Sequence, residues 1–314
     1  MPSGSQPAPI PCPICGAGDV NAVAAQPEDY EYRVRTDQAY GILACRACTS
    51  EFLAPRPAEA VLPSFYPRDY HAYNEDHGTI VGALVAMRGR KRAEELGRYG
   101  LGGQPTRIFD VGTGDCRHFE DMARHGAFEF AGVEINPDMV KSAREKGFAV
   151  EPGSLEALDI TPYEGRFDVV TMYHVLEHVV SPAEVLARAF SLLRPGGMLC
   201  GQLPCVDSFD RAVFGRYWGG YHFPRHLQMF SSHGLATALE RAGFGKVRVA
   251  SALHLQAALS LQNLLVGGLG WRPGMTYGKT PAYPLLLLTA APFCMLEFVV
   301  GRGGIMNFWV EKPA

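Results

Sequence analysis

Residues 108–116 read Ile108-Phe109-Asp110-Val111-Gly112-Thr113-Gly114-Asp115-Cys116. A short apolar run ends in a Gly-x-Gly turn with an acidic residue at each edge, and a helical pattern follows. A buried strand takes this form when it bends sharply and brings its backbone close to a small molecule. Alone the stretch is a weak signal. Its weight comes from what lies downstream of it.

From Arg107 onward strand and helix alternate, the rhythm of an open parallel sheet. Arg107–Val111 is predicted as the first strand, Arg117–His125 as a helix and Phe128–Glu134 as the second strand. Asn136-Pro137 reads as an N-cap with proline in the first turn of a helix that stops at Gly147. Phe148–Glu151 and Phe167–Met172 are strands three and four. Ser181-Pro182-Ala183-Glu184 reads as a capping box opening the helix Pro182–Leu193. The turn Arg194-Pro195-Gly196-Gly197 leads into strand five, Met198–Leu203. Ser232–Arg241 is a helix, Lys246–Ser251 strand six and Ile305–Glu311 the last strand.

The chain has 314 residues, 47% of them hydrophobic and 19% charged, so a large core is within reach. A net charge of −3 supplies no long-range pull on nucleic acid. The first ten residues lack a basic segment followed by an apolar one. The expected location is therefore cytoplasmic.

Four of the eight cysteines form two Cys-x-x-Cys pairs, Cys12/Cys15 and Cys45/Cys48. In a reducing compartment such knuckles point to thiolates around a structural zinc ion rather than to disulfides. Four free cysteines are the plain alternative. Between the pairs a hairpin is expected from Tyr30–Val34 and Ala39–Leu43. Pro55–Tyr73, with Phe65, Tyr66, Tyr70 and Tyr73, reads as a connector, and Thr79–Tyr99, with the basic run Arg88–Arg92, as helical. The division this implies is a zinc ribbon over 1–54, a connector over 55–105 and an α/β domain over 106–314.

The rhythm breaks at His254–Gly304, where two apolar blocks, Leu255–Trp271 and Tyr283–Val300, flank a Gly/Pro-rich turn. Polar interruptions at Gln256, Gln262, Asn263 and Glu297 weigh against a two-span hairpin. A hydrophobic cap or a monotopic element resting on a membrane, and an ordinary buried helical pair, are the other readings.

Glu134 ends strand two, 24 residues after Asp110, where a carboxylate can accept from both hydroxyls of a ribose. Dinucleotides and S-adenosylmethionine both use this layout. A diphosphate wants a third glycine where this chain has Arg117, and Asp115 would repel it. The turn therefore favours a cationic sulfonium cofactor. The successive segments Asp110-Val-Gly-Thr-Gly, Gly132-Val-Glu-Ile-Asn, Phe167-Asp-Val-Val and Leu193-Arg-Pro-Gly-Gly resemble the class I S-adenosylmethionine-dependent methyltransferases, in the broad group with ubiquinone-biosynthesis enzymes. The resemblance implies a Rossmann-like seven-stranded α/β sheet, with a zinc ribbon in front and a hydrophobic helical insertion before the last strand. It also implies that Gly112 and Gly114 admit the methionine portion, Asp110 holds its amino group, Glu134 takes the ribose and Ile135 packs on the adenine. Ser154 stands where the family often has an acid at the adenine edge, leaving the Leu155 backbone for that contact. The cysteine front and its connector resemble those of deoxysugar C-methyltransferases.

Strand four runs into Met172-Tyr173-His174-Val175-Leu176-Glu177-His178, which should reach the methyl group; Tyr173 is counted with the cofactor residues. This run is similar to a Glu-x-x-Glu-His element that binds a divalent metal in some relatives, with His174 replacing the first acid. On a helix, His174, Glu177 and His178 would share one face. The other reading makes His174 or His178 a general base. After strand five comes Tyr217–His226, whose His222 and His226 are well placed to meet an acceptor. The function expected is methyl transfer to a small molecule: a sugar, a lipid or a lipid-linked sugar met at the inner face of a membrane. An RNA methyltransferase using the ribbon as a clamp, and a non-catalytic scaffold, are the alternatives.

Overall fold

A computed structural model describes residues 10–25, 27–66, 89–271 and 282–314. Tyr70, Tyr73, the first part of the predicted helix 79–99 (including Arg88) and the turn at 272–281 lie outside the described residues. The amino-terminal strands are β1 (Val20–Ala25), β2 (Gly41–Cys45) and β3 (Glu51–Ala54). Helical residues 89–96 (α1) precede β4 (Thr106–Val111), α2 (Arg117–Ala123), β5 (Phe128–Glu134), α3 (Pro137–Glu145), β6 (Ala149–Pro152) and β7 (Phe167–Tyr173). There follow α4 (Pro182–Leu192), β8 (Leu193–Pro204), α5 (Phe209–Phe214), β9 (Gln228–Met229) and α6 (Ser232–Arg241). The chain closes with β10 (Arg248–Ser251), α7 (Gln256–Asn263), α8 (Tyr283–Val299) and β11 (Ile305–Glu311).

Among the described residues the main sheet has seven strands in the order β10-β11-β8-β7-β4-β5-β6. Only β11 runs antiparallel to its neighbours. Order reverses on the two sides of β4, so the carboxyl ends of β4 and β7 open a crevice at a topological switch point, where α/β sheets bind ligands. Alternate side chains serve two faces. Ile108, Val169, Met198 and Cys200 pack with α1, α2 and α3, whereas Phe109, Val111, Val170 and Met172 pack with α4 and α6. A register shift between Phe167 and Val169 breaks the alternation. Asp168, almost fully buried there, is neutralised by Arg194 Nε at 2.6 Å and takes the Arg107 N–H at 2.8 Å.

Some local signals were misleading. Ser181 makes no side-chain cap, and Pro182 starts α4 without the box; Glu184 pairs instead with Arg188 at 3.2 Å. β8 already pairs at Leu193, so the Arg194–Gly197 turn is an excursion within the strand rather than its prelude. Tyr30–Val34 is not a strand. The Asp29 carboxylate accepts N–H bonds from Glu31, Tyr32 and Val34, folding the segment into a turn. β2 pairs instead with β1, Val20 opposite Cys45, and on its other side with β3.

The amino-terminal sheet is ordered β1-β2-β3-β9, so its last strand comes from the main domain. Ser231, the N-cap of α6, bonds the Cys48 carbonyl, and Arg241 at the other end of α6 bonds the Cys15 carbonyl. Arg56 of the connector donates to the carbonyls of Leu227 at 2.8 Å and Val180 at 2.7 Å. Module and domain thus share hydrogen-bonded backbone.

α7 packs on α8 through Ala257, Ala258, Leu286, Ala290 and Cys294. α8 has 17 residues, about 25 Å at the helical rise, short of a bilayer's apolar thickness. Among the described residues no helix is long and apolar enough to cross a membrane. Glu297 is a buried residue of α8, and its Oε1 accepts the Asp210 N–H at 2.6 Å. Burial pushes both Asp210 and Glu297 up to about 7. Both values lie above those of an unfolded chain, roughly 4. The native state therefore keeps protons that the unfolded chain releases, and the stability they contribute is lost as pH rises through about 7. His178 and His226, whose pKa burial lowers, act in the opposite sense below pH 6.5, so the test is a difference. Glu297→Gln is expected to make the slope of melting temperature between pH 5 and pH 8 less negative than that of the wild type, and an unchanged slope in scanning calorimetry would contradict the assignment.

Candidate active site

The Gly-x-Gly turn sits at the switch point. Gly112 has φ +78, and a Cβ there would meet Val175 Cγ2 at 2.9 Å. Gly114 has φ +55 and opens onto empty space, since nothing lies within 4 Å of its would-be Cβ. Any other residue would be strained at either position. Glu134 ties the turn to β5: its Oε2 accepts the Gly114 N–H and its Oε1 the Asn136 N–H, both at 2.8 Å. Burial raises its pKa, against the pull of those two donors. Asp110 is buried, accepts from the Thr171 hydroxyl, and lies 3.2 Å from His118 Nε2. Ile135, beside Glu134, is 72% exposed, an apolar surface with nothing yet packed on it.

Ser154 and Leu155 flank the same edge. The Leu155 side chain is in the core and is withheld from any ligand. A carboxylate is nevertheless close by: Glu156 takes a hydrogen bond from Ser154, and burial raises its pKa. The Tyr173 ring lies 3.8 Å beneath the Arg92 guanidinium, and burial holds its phenol well above its ordinary range. Asp115 is not the uncompensated charge expected from the sequence. Arg117 Nε stands 2.6 Å and Lys146 Nζ 3.5 Å from its carboxylate. The local case against a diphosphate therefore rests on the absent third glycine and not on repulsion.

His174, Glu177 and His178 do not share a helical face. His174 has φ +56 and residues 174–178 form a turn, so the i, i+3, i+4 geometry is not made. His174 Nδ1 is 3.2 Å from Glu177 Oε1, and its Nε2 3.1 Å from Gln202 Oε1. Burial disfavours the His174 cation, but the Glu177 carboxylate prevails and raises its pKa. Burial also works against ionised Glu177, yet His174 first, then His178 and His226, hold it down to about 2.

The chain instead brings Glu177, His178 and His226 together, with one ligand atom from each within 4.8 Å of the others. His178 Nδ1 is 3.1 Å from the Arg225 carbonyl and 3.0 Å from the Tyr66 hydroxyl, while His226 Nδ1 donates to the Gly220 carbonyl at 2.7 Å. Two imidazoles and a carboxylate, one ring oriented through a backbone carbonyl, is a donor set suited to a divalent cation or to moving a proton. Burial lowers the pKa of both histidines, that of His226 further because His178 and His222 lie beside it. Burial thus favours the uncharged form of both rings. His222 joins the group with its ring 5.0 Å from that of His226. Reading residue types found the histidines but missed Tyr66 as a partner, and missed Asp29, Glu31 and Arg225 altogether.

Cys12, Cys15, Cys45 and Cys48 are all buried, with one sulfur from each within 4.8 Å of the others. The contacts are 3.7 Å for Cys12–Cys48 and 3.4 Å for Cys15–Cys45, too long for a disulfide. A tetrahedron with Zn–S bonds near 2.3 Å separates its sulfurs by ~3.8 Å, so the four thiolates fit a zinc ion.

A family model described as a methyltransferase domain matches residues 85–249. A ubiquinone biosynthesis O-methyltransferase of Cereibacter sphaeroides is 35% identical over 121 residues, 37% of this chain and 49% of the relative. One from Xanthomonas euvesicatoria pv. vesicatoria is 38% identical over 98 residues, 30% of this chain and 41% of the relative. The chain thus spans about half the length of these curated relatives, or less. A structure from Galdieria sulphuraria, proposed to be a sarcosine dimethylglycine methyltransferase, aligns with a TM-score of 0.51 at 12% identity. The alignment covers 79% of this chain and 91% of that one, a likeness of fold. With its seven strands, the glycine turn at the switch point and a family match across more than half its length, the chain belongs to the methyltransferase domain family, on the Rossmann-like sheet of class I.

Proposed function

We propose that this protein transfers a methyl group from S-adenosylmethionine to an apolar or lipid-linked small molecule. The observation that carries the reading is the convergence of the Gly112–Gly114 turn with buried Glu134 at the switch point. In this reading Glu134 takes the ribose hydroxyls, exposed Ile135 covers the adenine, Glu156 or the Leu155 backbone meets its edge, and Asp110 and the glycines receive the methionine portion. Tyr173 closes the floor of the cofactor site. The cofactor supplies a methyl group already activated on sulfur, so the chain's work is alignment, exclusion of water and disposal of a proton. His222 or His226, with His174 and His178 behind them, are the groups for that proton.

The acceptor class follows from the cap. The link between antiparallel β10 and β11 leaves and re-enters at the ligand-binding edge of the sheet. Leu253, Leu255, Leu259, Leu287, Ala291 and Met295 line a cleft of about 440 Å³ between α7 and α8, and Leu259 packs against Gly219 of the acceptor loop. The outer face of α8 leaves Leu288 and Val299 about three-quarters exposed, with Leu285 and Leu296 beside them. An exposed apolar strip beside an apolar cleft suits a lipid surface. The relatives named for ubiquinone biosynthesis support a small-molecule acceptor.

The test is incubation with methyl-tritiated S-adenosylmethionine and separate lipid, soluble and RNA extracts. Label recovered in the lipid extract is the expected result. Label confined to RNA would overturn the acceptor class, and tight cofactor binding with no transfer to any extract would leave a scaffold.

A further inference from the structure

Glu177 and His178 lie in the turn after β7, and His226 lies in the loop before β9. Hydrogen bonds stitch the two segments together. The Leu227 N–H donates to the Glu177 carbonyl at 2.7 Å, and the buried Gln228 amide donates to the carbonyls of Leu176 and Val179. Arg56 clamps one carbonyl from each segment, Leu227 and Val180. Both rings are oriented from behind. His226 Nδ1 is 2.7 Å from the Gly220 carbonyl, and His178 Nδ1 is 3.1 Å from the Arg225 carbonyl with the Tyr66 hydroxyl beside it. A carbonyl oxygen only accepts, so both Nδ1 atoms carry a proton and the lone pair of each uncharged ring is on Nε2. Among the described residues neither Nε2 has a hydrogen-bond partner. Glu177 uses Oε1 on His174, and its buried Oε2 likewise has no partner. One ligand atom from each of the three residues lies within 4.8 Å of the other two. The group offers an anionic oxygen and two imidazole lone pairs, with no donor of its own. An unmet buried acceptor costs roughly 1–3 kcal/mol, and more when it is charged. One cation would satisfy all three.

We infer that Glu177, His178 and His226 form a metal site, separate from the cysteine cluster, for a divalent ion of the zinc, cobalt or iron(II) class. Two imidazoles with one carboxylate favour these ions over magnesium and calcium, which take oxygen ligands. Nδ1–H groups anchored on carbonyls are the outer shell that sets the tautomer and angle of ligating histidines. Ligand bonds near 2.1 Å put two ligands at most ~4.2 Å apart, so loading draws the group in by roughly 0.6 Å at its widest. His174 is not a member, because both its nitrogens face oxygen acceptors, Glu177 Oε1 and Gln202 Oε1. The third ligand comes instead from the 217–226 loop, and the ion ties that loop to the turn after β7. Three protein ligands leave a coordination position for water or for an oxygen of a bound molecule. His178 and His226 then bind metal or take a proton, not both. The site does not depend on the methyl-transfer reading.

The test uses the 314-residue chain with zinc in its cysteine cluster. Titrated with cobalt(II), the wild type is expected to take up about one further equivalent, with weak d–d absorption and no thiolate charge-transfer band. His226→Gln is expected to weaken that uptake by about 100-fold or more while the zinc of the cysteine cluster is kept. His174→Gln is expected to bind cobalt within a few-fold of the wild type. Wild-type protein with no saturable uptake beyond the cysteine cluster would overturn the inference, whatever the variants do. Uptake unchanged in His226→Gln would also overturn it, as would uptake lost in His174→Gln alone, which would return the ion to the three residues grouped by spacing. Displacement of the cobalt by a modest excess of magnesium would overturn the class of ion.

Discussion

Replacing Glu134 with alanine is expected to weaken S-adenosylmethionine binding by about two orders of magnitude. The carboxylate already accepts two backbone N–H bonds at 2.8 Å, one from Gly114 in the glycine turn and one from Asn136 at the start of α3. The proposed ribose contacts use its remaining lone pairs. Hydrogen bonds to a charged group contribute roughly 1.5–3 kcal/mol each, so losing two of them gives ~100-fold or more in affinity. The variant also takes the acceptor from the half-buried Gly114 and Asn136 donors, which should lower the melting temperature. Glu134→Gln keeps one acceptor oxygen and should fall between the two. Isothermal titration checks the series, and an alanine variant that binds as tightly as wild type would remove Glu134 from the site.

Loss of the cysteine cluster should have the second large effect. Structural zinc sites contribute about 10–16 kcal/mol to small modules, comparable with the whole stability of a domain. Cys45→Ala is expected to reduce bound zinc from about one equivalent per chain to none, as measured by elemental mass spectrometry. The face of the sheet on α1, α2 and α3 has its own core, but the core on the other face runs on into Cys12, Ile14, Cys15, Cys45 and Cys48, so the melting temperature and cofactor affinity should fall together. Methyl transfer should not survive, because Asp29 and Glu31 lie between the two knuckles and face the histidine loop. Cobalt substitution offers an independent check, since a tetrahedral four-thiolate site gives an intense charge-transfer spectrum. Wild-type protein prepared with zinc and found to hold none would refute the site.

The methyltransferase half was legible because its signals are local. Glycines at positive φ, strands with apolar runs and an Asn-Pro helix start each announce themselves within a few residues, and β5, α6 and β11 match their expected bounds. The amino-terminal half was less so. Val20–Ala25 is rich in alanine, a poor strand former, and pairs only because β2 offers an edge. The turn at 30–34 depends on one aspartate side chain. The pairs Glu31–His222 and Asp29–Arg225 join residues 191 and 196 positions apart, a distance over which no spacing rule operates. The metal reading failed at His174 for a related reason. A left-handed backbone angle there replaced the helix on which the spacing argument relied.

The central claim is that the turn at Gly112–Gly114, closed by Glu134, receives a sulfonium cofactor. Titration of the 314-residue chain with S-adenosylmethionine, and separately with NAD, tests it most directly. The account predicts one S-adenosylmethionine per chain, lost in Glu134→Ala, and no heat from NAD. Saturable binding of NAD with none of S-adenosylmethionine would contradict it.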